Sequence, residues 1–144
     1  MLASERALIA QARGEARAAL DLANQAVAIA EASLKEHGSG SRNLPPFLVD
    51  RSDIQLQLGD VEKAAADARR ALKMWLDEAQ PGTFSSKPGR AYLTLGRSLQ
   101  AQDKREEARA AFRPAVEHLQ SALGPEHKET RTARQLAQPE LPLR

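Results

Sequence analysis

Three stretches of this chain carry small and apolar residues at the same spacing, and no other feature constrains its fold as tightly. Superimposing them aligns Ala19, Ala64 and Ala108, then Ala23, Ala68 and Phe112, then Ala26, Ala71 and Ala115, then Val27, Leu72 and Val116. The offsets are 45 and 44 residues, so the period is nearly constant. Gly14, Gly59 and Asp103 keep the same register as turn residues. Chance matching in an Ala-rich chain would account for the alanine columns alone. It would not keep turn and apolar columns in phase with them. Self-similarity at such a period marks stacked helical units that bury their apolar faces only against neighbours.

The best-preserved unit runs from Gly89 to Thr130. Asp103 and Glu106 have the spacing of a capping box, in which each side chain satisfies a free amide of the following helix. That spacing predicts a helix from Lys104, with Ala108, Ala111, Phe112, Ala115, Leu119, Ala122 and Leu123 on one stripe. Arg105, Glu106, Arg109, Arg113 and Glu117 fall on the other side. Before the joint, Tyr92, Leu95, Gly96 and Leu99 mark a shorter helix, started by Pro88, whose missing N–H is not needed in a first turn. Gly96 leaves room for its partner helix, and Gly124 with Pro125 stops the second helix. Pro114 lies inside that helix, where it deletes a hydrogen bond and predicts a bend.

The remaining units are read in the same way. Residues 2–37 are rich in helix formers, with Gly14 as a break between a short helix to Arg13 and a longer one over Glu15–Glu36. The longer one buries Ala19, Leu22, Ala23, Ala26, Val27, Ala30 and Leu34; one continuous helix is the alternative, because an isolated Gly costs only about 1 kcal/mol against Ala. His37–Pro46 is a linker by composition, Phe47–Leu58 a short helix, Val61–Ala79 a longer one, and Gln80–Ser86 a second loop. A last helix reaches about Ala137, before Pro139 and Pro142 forbid more. The domain reading is one repeat domain over residues 1–138, with units near 1–37, 46–80 and 88–124, a capping helix over 126–138, and a disordered tail at 139–144. Arg51 and Ser52 replace the Leu-Gly pair in the second unit.

A length of 144 residues suits one domain with a real core, and 42% hydrophobic with 28% charged residues is a globular balance. Only 3% of residues are aromatic, so alanine must carry the packing. The absence of cysteine excludes disulfide and thiolate chemistry. The start, MLASERALIAQARG, lacks the apolar core of a secretory signal, and no apolar run approaches a membrane span; a cytoplasmic location is expected. The net charge of +2 is spread along the helices, which points to neither nucleic acid nor membrane as partner.

Leu95-Gly96 followed by Ala108, Phe112 and Ala115 resembles the small-and-large pattern of the tetratricopeptide repeat across most of residues 47–137. The long period, together with LGPEHKETRTARQLA at Leu123–Ala137, is similar to the kinesin-light-chain type of that repeat and to repeats in bacterial regulators and kinase tails. The resemblance implies an all-α fold: an α-α superhelix, a right-handed solenoid of about three antiparallel hairpins plus a C-terminal capping helix. It also implies a concave groove, lined by the shorter helix of each hairpin, that binds a peptide or segment of a partner protein.

Carried onto this sequence, the groove would present Val49, Asp53, Leu56 and Gln57, then Arg90, Leu93, Arg97 and Gln100, then Arg131 and Arg134. Four arginines would gather at one end. Guanidinium forks suit carboxylates and phosphates, so an acidic or phosphorylated segment is the expected ligand, against a plain reading as solvated surface charge. The Lys and Asn arrangement that clamps a terminal carboxylate in some relatives is missing, since Val49 with Asp53 and Leu93 with Arg97 stand there. Trp75, Tyr92 and Phe112 are read as packing aromatics.

His37, His118 and His127 form no i, i+4 metal pair and no nucleophile–base couple. His118 alone raises phosphotransfer on a helical bundle, but Leu119-Gln120-Ser121 lacks the Lys-Gly that follows such histidines; a partly exposed residue with an ordinary pKa is expected instead. No phosphate-cradling glycine loop or catalytic constellation stands out. The chain is therefore read as a non-enzymatic interaction module with no cofactor. Self-association as a scaffold, or service as a segment of a larger regulator or kinase, is the alternative.

Overall fold

The computed structural model describes residues 3–38 and 42–138, all helix and connecting turns. The helices are α1 (Ala3–His37), α2 (Leu44–Gln57), α3 (Val61–Glu78), α4 (Ser86–Ala101), α5 (Arg105–Leu123) and α6 (Lys128–Ala137). Each packs on the next in chain order, and α2 also touches α4, so the short helices α2 and α4 lie side by side. The architecture is the all-α helical repeat stack that the sequence periodicity demands. Residues 139–144, with Pro139 and Pro142, lie outside the described residues, as do Ser39, Gly40 and Ser41 of the linker.

Two turns set the hairpins. After α2 the Asp60 amide donates to the Gln55 carbonyl at 2.8 Å and the Gly59 amide to Leu56 at 3.2 Å. After α4 the Lys104 amide donates to Leu99 at 2.9 Å and the Asp103 amide to Gln100 at 3.0 Å. Both are the same left-handed helix cap, and Gly59 (φ 84°) and Asp103 (φ 60°) take the positive φ it requires. Asp103 is thus consumed in ending α4, and no side chain caps α5, whose N-cap is Lys104. The capping box expected from Asp103 and Glu106 does not form. Asp tolerates the left-handed region better than most residues, which is why it can stand where the second unit has Gly.

Gly14 lacks this geometry. It lies inside α1, which runs unbroken for 35 residues. The first unit is a single helix, not a hairpin, and Leu22, expected in its core, is exposed. In that unit the positions equivalent to Leu48, Ser52 and Gln55 are alanines, so folding back at Gly14 would gain little apolar burial against the entropy of a turn. The linker is shorter than its composition suggests. Leu44, Pro45 and Pro46 belong to α2, because prolines fit the first turn, where amides have no intrahelical partner. Likewise α4 begins at Ser86, after Ser85 accepts the Lys87 amide on its hydroxyl at 3.3 Å.

Alanine supplies the core as composition requires: Ala64, Ala65, Ala68 and Ala71 of α3, and Ala108, Ala111 and Ala115 of α5, are buried. Helix contact is tightest at Gly96, where a Cβ would sit 2.5 Å from Cδ1 of the buried Phe112 ring. One unit earlier the equivalent pair is Ser52 and Ala68, both fully buried, and Ser52 Oγ donates to the Ala64 carbonyl at 2.6 Å. A large residue on the long helix goes with none on the short one, and a small with a small.

The neighbouring positions show a different exchange. Leu95 and Ala111 both belong to the buried apolar core in the later unit. Arg51 and Asp67 take those places in the earlier one, joined by a two-pronged ion pair of 2.7 and 2.9 Å. Arg51 also donates to Asn24 Oδ1 of α1 at 3.3 Å, tying the first unit to the second. The hydrogen bonds to Asp67 raise the Arg51 pKa and hold the guanidinium charged. Pro114 is accommodated within α5, which continues on both sides of it. The carbonyl it deprives of a partner is that of Ala110, an exposed residue, so water can satisfy it. Trp75 is half-buried beside Leu34, Pro45 and Met74, where α1, α2 and α3 meet.

These pairings generate two tests. Asp67→Ala alone should cost about 3 kcal/mol in chemical denaturation, because it strands a largely buried guanidinium. Arg51→Leu with Asp67→Ala, which copies the Leu95/Ala111 layer, should return to within about 1 kcal/mol of wild type; equal costs for the single and double variants would contradict the pairing. Gly96→Ala should cost about 1–3 kcal/mol by overpacking, with part recovered on adding Phe112→Leu.

Candidate functional site: a groove between the short helices

Because α2 and α4 run side by side, with α6 beyond them, their outward faces make one groove of about 560 Å³. Helical spacing selects its lining. From α2 come Val49, Asp50, Asp53, Leu56 and Gln57; from α4, Arg90, Leu93, Thr94 and Arg97; from α6, Lys128, Glu129 and Thr132. Val49 and Leu93 occupy equivalent repeat positions, are buried, and form the apolar floor. Asp53 and Arg97 are likewise equivalent in register yet opposite in charge.

The polar lining is braced across the helices. Thr94 Oγ1 donates to Asp53 Oδ1 at 2.8 Å, joining α4 to α2. Arg90 Nε donates to Glu129 Oε2 at 2.8 Å, joining α4 to α6. Asp53 keeps an open edge to solvent, but loss of water to the groove walls raises its carboxyl pKa, and nearby Asp50 and Glu129 add to the rise. The Thr94 hydrogen bond and the Arg97 charge oppose it. Three carboxylates and three cations line the groove, so its net charge is close to zero.

Seven of the residues expected from sequence meet here: Val49, Asp53, Leu56, Gln57, Arg90, Leu93 and Arg97. The other three do not. Gln100 lies in a separate hollow with Phe112, Gln135 and Leu136. Arg131 and Arg134 line a further hollow on α6 with Lys128 and Gln138, where Arg134 approaches Gln120 Oε1 at 3.4 Å. The four arginines therefore do not gather, and one of the two that reach the groove is neutralised by Glu129. On α6 the buried residues are Thr130 and Ala133, which turns 129 and 132 toward the groove and 131 and 134 away. The Thr130/Ala133 spacing was the available signal for that phase. Asp50 and Thr94, each adjacent in sequence to a floor residue, complete the set.

His118 is not the partly exposed residue expected. It is buried. Phe84 meets its ring edge-on at 5.2 Å and Tyr92 stacks on it at 5.7 Å. The Ser85 amide donates to Nδ1 at 3.1 Å, which requires that nitrogen to be unprotonated. An imidazole enclosed in this way pins the start of α4 to α5 and cannot present Nδ1 to a phosphodonor. Burial lowers its pKa, against the pull of Glu117.

Residues 89–129, spanning α4, its turn, α5 and the start of α6, match the family model described as tetratricopeptide repeat. No match to the chain was found among curated proteins. This stretch is a tetratricopeptide-type repeat set in an all-α helical stack, and such repeats generally mediate protein–protein interaction. Among the described residues no helix is long and apolar enough to cross a membrane.

The buried imidazole predicts an acid-side loss of stability. With the folded-state pKa below the ordinary value of about 6.5, the unfolded chain takes up the proton first, so this contribution is complete above that pH and declines as pH falls below it. Urea midpoints measured at pH 7.5 and 5 should differ less in His118→Gln than in wild type. An unchanged difference would remove His118 from the account.

Proposed function

We propose that the groove between α2, α4 and α6 binds a short segment of a partner protein, seating an apolar side chain on Val49 and Leu93. The observation that carries this reading is the alignment of three helices so that one apolar floor is flanked by polar side chains held in place across the helices. Preorganised side chains reduce the entropy lost on binding, which favours recognition over a merely solvated surface. The lining does not favour a strongly acidic or phosphorylated segment, because Asp50, Asp53 and Glu129 would repel it as Arg97 and Lys128 attract it. A segment carrying an apolar anchor and charges of both signs fits better, with its acidic side toward Arg97 and Lys128 and its basic side toward Asp50 and Asp53. The long-period form of the repeat, close to the kinesin-light-chain type, belongs to the same proposal.

Peptides selected from a displayed random library against the immobilised protein provide the test. Their affinity should fall at least about tenfold on Leu56→Asp and on Arg97→Glu, measured by calorimetry, while helicity is retained. Selected peptides that bind both variants as well as wild type would place the binding surface elsewhere.

A further inference from the structure

Toward its N-terminus α1 is uncovered over its described residues. From residue 8 to residue 15 every described side chain is exposed. On its outer side Leu8, Leu22 and Ile29 stand at multiples of seven residues and are 66%, 67% and 71% exposed. Ala12, Ala19 and Ala26 fall between them at alternating four- and three-residue steps, which is the seam of a coiled coil. Glu15 is the one charged residue on that seam.

The two hairpins show what normally covers this side. Leu22 occupies the register of Asp67 and Ala111, which are 8% and 5% exposed. Each of those packs beneath the short helix of its own hairpin. Since α1 continues straight through Gly14, it cannot cover itself.

We propose that a second copy of this chain covers the face, with the two α1 helices antiparallel across a twofold axis between residues 20 and 21. The seam is complementary to itself in that register. Leu22 faces Ala19 of the second copy, Ile29 faces Ala12, and Leu8 faces Ser33, so every large side chain meets a small one. A twofold interface requires such reciprocity. The alanines let the helices approach closely, and the paired stretch is about 38 Å long at 1.5 Å per residue. Glu15 faces Ala26 and is the single charged residue of the seam, so it weakens the pair. The groove is lined by α2, α4 and α6, none of which contributes to this seam.

Sedimentation equilibrium over a dilution series tests the assembly. The wild-type chain should be a dimer that dissociates reversibly. Leu22→Glu with Ile29→Glu should weaken it at least about 100-fold without loss of helicity, and Glu15→Leu should tighten it at least about tenfold. Because the chain has no cysteine, orientation is readable by oxidation. Ala12→Cys with Ile29→Cys should yield a covalent dimer, and Ser33→Cys alone should yield none. A wild-type protein that stays monomeric throughout would overturn the proposal, and that is the result expected if a foreign helix or a preceding repeat is the natural cover. A dimer unaffected by the glutamates, or one crosslinked through Ser33→Cys, would overturn it as well.

Discussion

The spacing between the two helices of each hairpin is the constraint on which the rest of this structure depends. In the later unit it is set where Gly96 admits the Phe112 ring. In the earlier unit it is set where Ser52 and Ala68 are both fully buried and the serine hydroxyl bonds the Ala64 carbonyl. With so few aromatic residues, burial cannot come from large side chains filling wide gaps. It comes from backbones brought close enough for alanines to touch, where dispersion and the removal of water act over the full length of the helices.

Close helices demand a fixed register, and the turns supply it. Gly59 and Asp103 end their helices with the same pair of hydrogen bonds and both take a positive φ. Within that register the residue types are free to change if the pair changes together. Leu95 with Ala111 becomes Arg51 with Asp67, and the apolar layer becomes an ion pair that also reaches Asn24. The groove inherits the same freedom. Its floor repeats as Val49 and Leu93, while its rim alternates between Asp53 and Arg97, so a repeated backbone presents a surface that is not repeated.

Much of this was legible in the chain itself because it follows from periodicity. The helix types, the two complete hairpins and the stripe of buried alanines all follow from three- and four-residue steps counted from a common origin, whereas the choice of short-helix faces for the groove came from the resemblance to the tetratricopeptide repeat. The misses share a different cause. Asp103 was read as a cap because capping and left-handed turns favour the same residue types, and only the dihedral angle separates them. Gly14 was read as a turn because it aligns with Gly59, but glycine permits a turn without compelling one. The helix of His118 by itself predicts only partial exposure, because its burial depends on Phe84 and Tyr92, which arrive from outside that helix.

The sequence by itself determined that this protein is a stack of helices with a period of 44–45 residues and an alanine core, since local spacing decides which residues share a face. Only the tertiary structure decided which faces are covered. Whether α1 folds back, which side of α6 meets the groove, and whether an arginine faces solvent or a carboxylate all depend on residues distant in the chain. Those are differences of a few kcal/mol between competing packings, and no local pattern records them.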